Sequence, residues 1–354
     1  MTPESCKANG KFNMLEHTSI STGKVLCVPS GWESYVSCEF HEIHCELESL
    51  NWKKIIVNGE NDFEVLDEIA CANVVIFWEL YEFIERNEKY LLKISNPLKN
   101  ACKKIFFCDD VHYFTRHRQE QRIRAFTWAD IIFATYPDRI RDWYPSINNE
   151  KIVWMPHSAA GIFYPGNAYR LDKILLSGSR SWPYPFRQFC NDKIPSYICD
   201  KINHPGYPGY PGDKLNKSES DSEKMKEVGR LEYGNVLRKY PAMIVCGSIF
   251  HYLVAKVFEG MASGCLVVCE STSLRDDLSK LGFIDGEHYI GTSYFSILSD
   301  VEKLKINFYE NNLVYQEICN KALRMVMKSH TTIRRAEQIN EFSLKFLEKS
   351  NGQK

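Results

Sequence analysis

KVFEGMASGCLVVCESTSL, Lys256 to Leu274, reads as a short helix, a glycine stop and a buried strand. Val254, Val257, Phe258, Met261 and Ala262 recur at helical spacing on one face, and Lys256, Glu259 and Ser263 occupy the other. Gly264 stands where a helix C-terminus takes a left-handed residue. The run Cys265–Cys269 has the length and branching of a strand covered on both faces. On pattern alone the charged face is a solvated one. Held against a parallel sheet, the same lysine and glutamate can grip a polar ligand.

The rest of the chain repeats this alternation. Strand candidates are Lys24–Pro29, Lys54–Val57, Val74–Trp78, Lys104–Cys108, Asp130–Ala134 and Ile152–Met155. Helical stretches fit between them at Ser34–Leu50, Phe63–Ala70, Leu80–Leu92 and Thr115–Trp128. Alternating strands and helices imply a parallel sheet with helices on both faces, and ligands of such sheets bind beyond the carboxyl ends of the strands. Met155-Pro156-His157-Ser158-Ala159 reads as the exit from the first half. A second set of strands follows at Lys173–Ser177, Pro241–Cys246 and Cys265–Cys269, with a helix over Ser220–Lys239. The Pro/Gly-rich, then polar, stretch 203–222 has little with which to build a core and reads as a loop. After Asp300 the pattern is helical throughout.

The 354 residues suit two domains, and 44% apolar with 25% charged residues is ordinary for a globular protein. A net charge of -1 gives no basic stripe for nucleic acid. The 13 cysteines include no C-x-x-C pair, so zinc has no sequence support. Many lie in apolar runs (Cys27, Cys108, Cys246, Cys265, Cys269), which reads as buried reduced thiols in a reducing, cytoplasmic compartment. The N-terminal residues lack the apolar core of a signal peptide, and no run approaches a membrane span. Peripheral membrane contact stays open. No G-x-G-x-x-G follows a predicted strand, which disfavours a nicotinamide dehydrogenase.

The Lys256–Leu274 stretch resembles the nucleotide-sugar signature K/R-x-F-E-x-x-A-x-G-x-x-V of GT-B glycosyltransferases, in particular the group-1 and CgeB-like proteins. FFCDDVHYF (106–114), ADIIFATYPDRI (129–140), KIVWMPHSA (151–159) and KILLSGSRSWPYPFRQF (173–189) support it in that order. The resemblance implies an α/β fold of two Rossmann-like domains facing each other across a cleft. It divides the chain into a tail (1–20), an acceptor-side domain (21–158), a nucleotide-sugar-binding domain (159–330) and a C-terminal helix (331–354) that can cross back to the first domain. It implies transfer of a sugar, with retention, from a nucleotide diphosphate sugar to an acceptor hydroxyl on a glycan, lipid or small molecule. No cofactor or metal is implied beyond the donor, a UDP- or GDP-sugar. A nucleotide-sugar epimerase of the same fold, or a binding protein without catalysis, are the alternative readings.

Site residues carry over one at a time. Glu259 takes the place of the glutamate that binds the donor ribose. His112, after the fourth strand, takes the place of a histidine that contacts the transferred sugar. Asp109 or Asp110 can orient that imidazole or take the acceptor proton, and either can instead cap the next helix. Their spacing is not that of a D-x-D metal motif. The turn Ser177-Gly178-Ser179-Arg180 suits a phosphate. Arg180 and Lys256 are the expected cations for the leaving diphosphate, with Arg187 in reserve or in a surface ion pair. His251 stands where many retaining members have a first glutamate, a departure from the pattern that leaves the donor sugar open. Gly31, with Trp32 after it, lets backbone approach a ligand closely at the first βα turn. His157 and Ser158 lie near the predicted hinge, within reach of the cleft or in a packing role.

Overall fold

The computed structural model describes residues 23–30, 38–94, 102–109, 111–112, 115–166, 169–202, 232–309 and 313–351. Gly31, Trp32, Asp110, the loop 203–222 and most of the expected helix before residue 232 lie outside them.

Two parallel sheets organise the chain. The first has the order β2-β1-β3-β4-β5-β6, with β1 Lys24–Pro29, β2 Lys53–Val57, β3 Val74–Trp78, β4 Lys103–Cys108, β5 Ile131–Ala134 and β6 Ile152–Trp154. Its helices are α1 Cys38–Ser49, α2 Asp62–Cys71, α3 Tyr81–Ile94, α4 Arg116–Trp128 and α5 Pro137–Trp143. The second sheet has the order β11-β10-β9-β7-β8, with β7 Ile174–Ser177, β8 Cys199–Ile202, β9 Ala242–Val245, β10 Leu266–Glu270 and β11 Ile290–Thr292. Around it lie α6 Pro185–Lys193, α7 (232–238), α8 Lys256–Ala262, α9 Ser271–Lys280, α10 Ile297–Tyr309 and α11 Leu313–Ser329. All neighbouring strands run parallel.

Period-two alternation explains why the strands read as unbroken apolar runs. Val25 and Cys27 face one core of the first sheet while Leu26 and Val28 face the other. In β10, Val267 and Cys269 face one side and Leu266 and Val268 the other. Both faces exclude water, so no position can be polar at low cost. Each sheet reverses its winding next to its first strand, at β1/β3 and at β7/β9. Ligand crevices form at such switch points.

The last helix, α12 Thr332–Asn351, leaves the second half and lies on the first sheet. Ala336 and Ile339 join Leu26, Val28, Phe40 and Ile76 in one core. Asn340 Oδ1 accepts from Lys24 Nζ at 3.1 Å and from Trp52 Nε1 at 3.0 Å. The two crossings between halves run side by side: Ala159 N donates to His330 O at 2.8 Å, and Thr332 N to Ala159 O at 3.1 Å.

Candidate functional site

At the switch point of the second sheet, Gly178 ends β7 with φ of 106°. A Cβ there would lie 3.0 Å from Arg187 Nη1 and 3.0 Å from Lys256 Cε, so the missing side chain is what lets the two cations converge. Arg187 comes from α6, is 4% exposed and donates through Nη1 to Ser179 O at 2.6 Å. Its plane lies 4.1 Å from the Tyr184 ring centroid, and its Nε has no partner among the described residues. Arg180 Nη1 instead donates to Asn191 Oδ1 at 2.8 Å. The residue held in reserve thus stands beside Lys256, and Arg180 reaches back along α6. Arg187 is buried and forms no ion pair among the described residues.

Glu259 follows Lys256 on α8. It is 3% exposed, and Ser263 is 2% exposed, so the solvated-face reading of this helix does not hold. Ser263 Oγ donates to Phe163 O at 3.1 Å. Glu259 Oε2 is buried without a hydrogen-bond partner among the described residues. Such an atom costs free energy unless something fills its need. Burial raises the Glu259 carboxyl; Lys256 opposes this, Glu39 adds to it and His157 opposes it. Burial lowers the Lys256 ammonium to about 8, Glu259 opposing and Arg187 adding. The helix ends as its sequence predicts: Gly264 has φ of 74° and Cys265 N donates to Gly260 O at 2.9 Å.

The first half faces this cradle with a second group. His112 follows β4 and stacks on Phe250 of the second half, centroids 5.2 Å apart. Tyr136, beyond β5, lies flat on Tyr252 at 3.7 Å and 7°. Phe250 and Tyr252 therefore belong to the core of the first half although they follow β9. Asp109 Oδ1 accepts from Thr135 Oγ1 at 2.8 Å, and the Asp109 amide donates to Glu79 Oε1 at 2.6 Å. His157 lies below, 7% exposed, with Nδ1 2.8 Å from Glu39 Oε2, Nε2 2.7 Å from Tyr136 OH and Nε2 3.5 Å from Asp109 Oδ1.

Burial alone would lower His157. The Glu39 carboxylate outweighs it, with Asp109 and Glu259 adding, and the imidazole rises to about 9. The resulting stability is complete below the ordinary imidazole range and is lost as pH rises through 9.

His251 is exposed in left-handed backbone, φ of 56°. It borders a cavity of about 150 Å³ at the carboxyl ends of the second sheet, with Phe186, Ser248, Glu270 and Tyr294. Ser179 is exposed, its Oγ 2.8 Å from Ser181 Oγ. Glu39 lies in none of the quoted motifs, and Tyr136 lies in ADIIFATYPDRI (129–140) without a role assigned from it. Glu39 nevertheless shares a four-residue spacing with the buried Ile43 and Leu47, and a carboxylate on an apolar stripe calls for a buried partner.

Residues 188–341 match the family described as glycosyl transferase-like. That span contains the whole Lys256–Leu274 stretch. None of the curated proteins matches the chain's sequence. A glycosyltransferase from Rickettsia africae ESF-5 superposes with a TM-score of 0.58 at 12% identity, over 92% of this chain and 98% of its own. An alpha-glucosyltransferase in complex with UDP-glucose and DNA containing an abasic site gives 0.60 at 11%, over 90% and 98%. The alpha-glucosyltransferase in complex with UDP gives 0.59 at 12%, over 90% and 99%. Because a molecule of this fold holds DNA, the exclusion of nucleic acid rests on net charge alone and gains no support. No helix among the described residues is long and apolar enough to cross a membrane. The chain thus has the two-sheet GT-B fold, and its residues 188–341 match a glycosyl transferase-like family.

Proposed function

We propose that the protein transfers a sugar from a nucleotide diphosphate sugar, a UDP- or GDP-sugar, to an acceptor hydroxyl, with retention and without a metal. One observation carries the reading. Two cations from separate helices converge on a left-handed glycine, and a buried carboxylate oxygen in want of a donor lies one helical turn beyond. Arg187 and Lys256 neutralise the diphosphate as it leaves, with Gly178 and Ser179 beside them and Arg180 nearer the rim. Charge stabilisation at a leaving group is a large catalytic term and replaces what a metal ion supplies elsewhere. Glu259 accepts the ribose hydroxyls. His112 and Asp109 address the transferred sugar and the acceptor from the first half, together with Asp110 and Gly31. The acceptor is a glycan, lipid or small molecule, and the setting is the cytoplasm.

Thermal unfolding in the presence of UDP, GDP and their sugars tests the reading. A ligand at about 100 times its Kd adds ~2.7 kcal/mol of stability. A shift with one diphosphate supports donor binding, and no shift with any nucleotide overturns it. Affinity should also fall as pH rises above 8, because Lys256 must be protonated to meet the diphosphate. Calorimetry on both sides of that value checks it, and an affinity that strengthens at high pH contradicts the role of Lys256. A nucleotide-sugar-binding protein without transfer is the second reading, favoured by His251 in the place of a glutamate. Nucleotide binding without release of sugar in any acceptor mixture selects it, and isomerised sugar from donor alone selects the epimerase.

A further inference from the structure

We propose that His157 is a positioning residue for the reaction: locked by Glu39, it holds Asp109 and Tyr136 in place at the floor of the cleft. The proposal rests on the transfer reading above. Both ring nitrogens are engaged, Nδ1 by Glu39 and Nε2 by Tyr136 OH and Asp109. The imidazole cannot turn, because Phe40 stacks on its face at 5.8 Å and 23°. Glu39 cannot turn either, since its other oxygen accepts from the Ser158 amide and, at 2.9 Å, from Ser158 Oγ. The backbone is fixed as well: Arg335 Nη2 of α12 donates to His157 O at 3.2 Å. His157 is therefore held from four directions, by α1 at Nδ1, by α12 at its carbonyl, and by the ends of β4 and β5 at Nε2.

Two consequences meet at that nitrogen. Asp109 stands at the carboxyl end of β4, three residues before His112, where an acceptor hydroxyl can be oriented. The imidazole Nε2, 3.5 Å from Oδ1, fixes where that carboxylate points. Tyr136 carries the same constraint to the second half through its stack on Tyr252. One imidazole thus ties the orientation of Asp109 to the closure of the two halves. The charged or titratable groups that face it are Glu39 from α1, Asp109 after β4, Tyr136 after β5, Glu259 from α8 and Arg335 from α12.

His157→Asn is the variant of choice. The asparagine amide can keep the Glu39 contact made by Nδ1, and it removes the contacts made by Nε2. With the nucleotide sugar that stabilises the wild type, kcat should fall about 100-fold. The Kd for the nucleoside diphosphate should change less than about threefold, a split that a merely structural role does not produce. A kcat within about twofold of wild type overturns the proposal, as does a loss confined to KM. Histidine-labelled NMR gives a second, activity-independent reading. His157 should be doubly protonated near neutral pH, and Asp109→Asn should lower its pKa. A neutral imidazole there overturns the proposal even if His157→Asn does not fold. A wild type that turns over no nucleotide sugar defeats the transfer reading, while the NMR result still decides whether the charged chain exists.

Discussion

Glu259→Gln should cost the protein its nucleotide while leaving it no less stable. A hydrogen bond to a charged group contributes ~1.5–3 kcal/mol, so affinity for the donor nucleotide should drop about 10- to 100-fold. The apo protein behaves oppositely. Burial raises the Glu259 carboxyl above its ordinary value, so the ionised form is disfavoured by folding. The sign follows from linkage: a carboxyl raised in the folded state subtracts stability at any pH above its unfolded value. An isosteric amide removes that cost. The melting temperature of Glu259→Gln should therefore equal or exceed that of wild type, and the nucleotide-induced rise at the same ligand concentration should shrink to about half or less. A variant that binds nucleotide as wild type does removes Glu259 from the site. One that melts well below wild type means the carboxylate serves the fold.

Gly178→Ala should be nearly inactive for a different reason. The added methyl meets Arg187 Nη1 and Lys256 Cε at 3.0 Å each and Arg187 Cζ at 3.4 Å. Both cations must give way by a few tenths of an ångström. The backbone, at φ of 106°, also resists any L side chain. That strain is ~1–3 kcal/mol. Displaced donors at a leaving group cost ~2.7–4 kcal/mol of transition-state stabilisation. The expected loss in kcat/KM is thus about 10²- to 10³-fold, with a lowered melting temperature. Steady-state kinetics with a folded sample checks it. Near-normal activity would mean that the diphosphate binds elsewhere.

What the sequence disclosed follows from physical rules with short reach. β3 and β10 are buried on both faces, so every residue but Glu270 at the end of β10 is apolar and the strands read directly. β8 is an edge strand, and its CDKI is only partly buried beyond Cys199, so nothing marked it. β11 spans three residues, Ile290–Thr292, too short for any period. α9 begins with Glu270, whose carboxylate accepts from Thr272 N and Ser273 N, a cap hidden at the end of an apolar strand. Glu259 and Lys256 were legible because a local spacing holds them on one helix. The choice between Arg180 and Arg187 was not, since it depends on how α6 lies against Gly178. Glu39 and His157 stand 118 residues apart, and only the packing of α1 beside the exit of the first half joins them.

The return of α12 to the first sheet bears on how the chain is made. During synthesis the first six strands emerge long before the helix that covers one of their faces. Leu26, Val28, Phe40 and Ile76 then wait for Ala336 and Ile339, which leave the ribosome only after the whole second sheet. The usual order, in which an N-terminal domain folds to completion first, is closed to this half. Its apolar face stays open through the synthesis of the entire second half, an interval in which a holding chaperone has a defined surface to occupy. A chain stopped short of Thr332 leaves that surface uncovered for good.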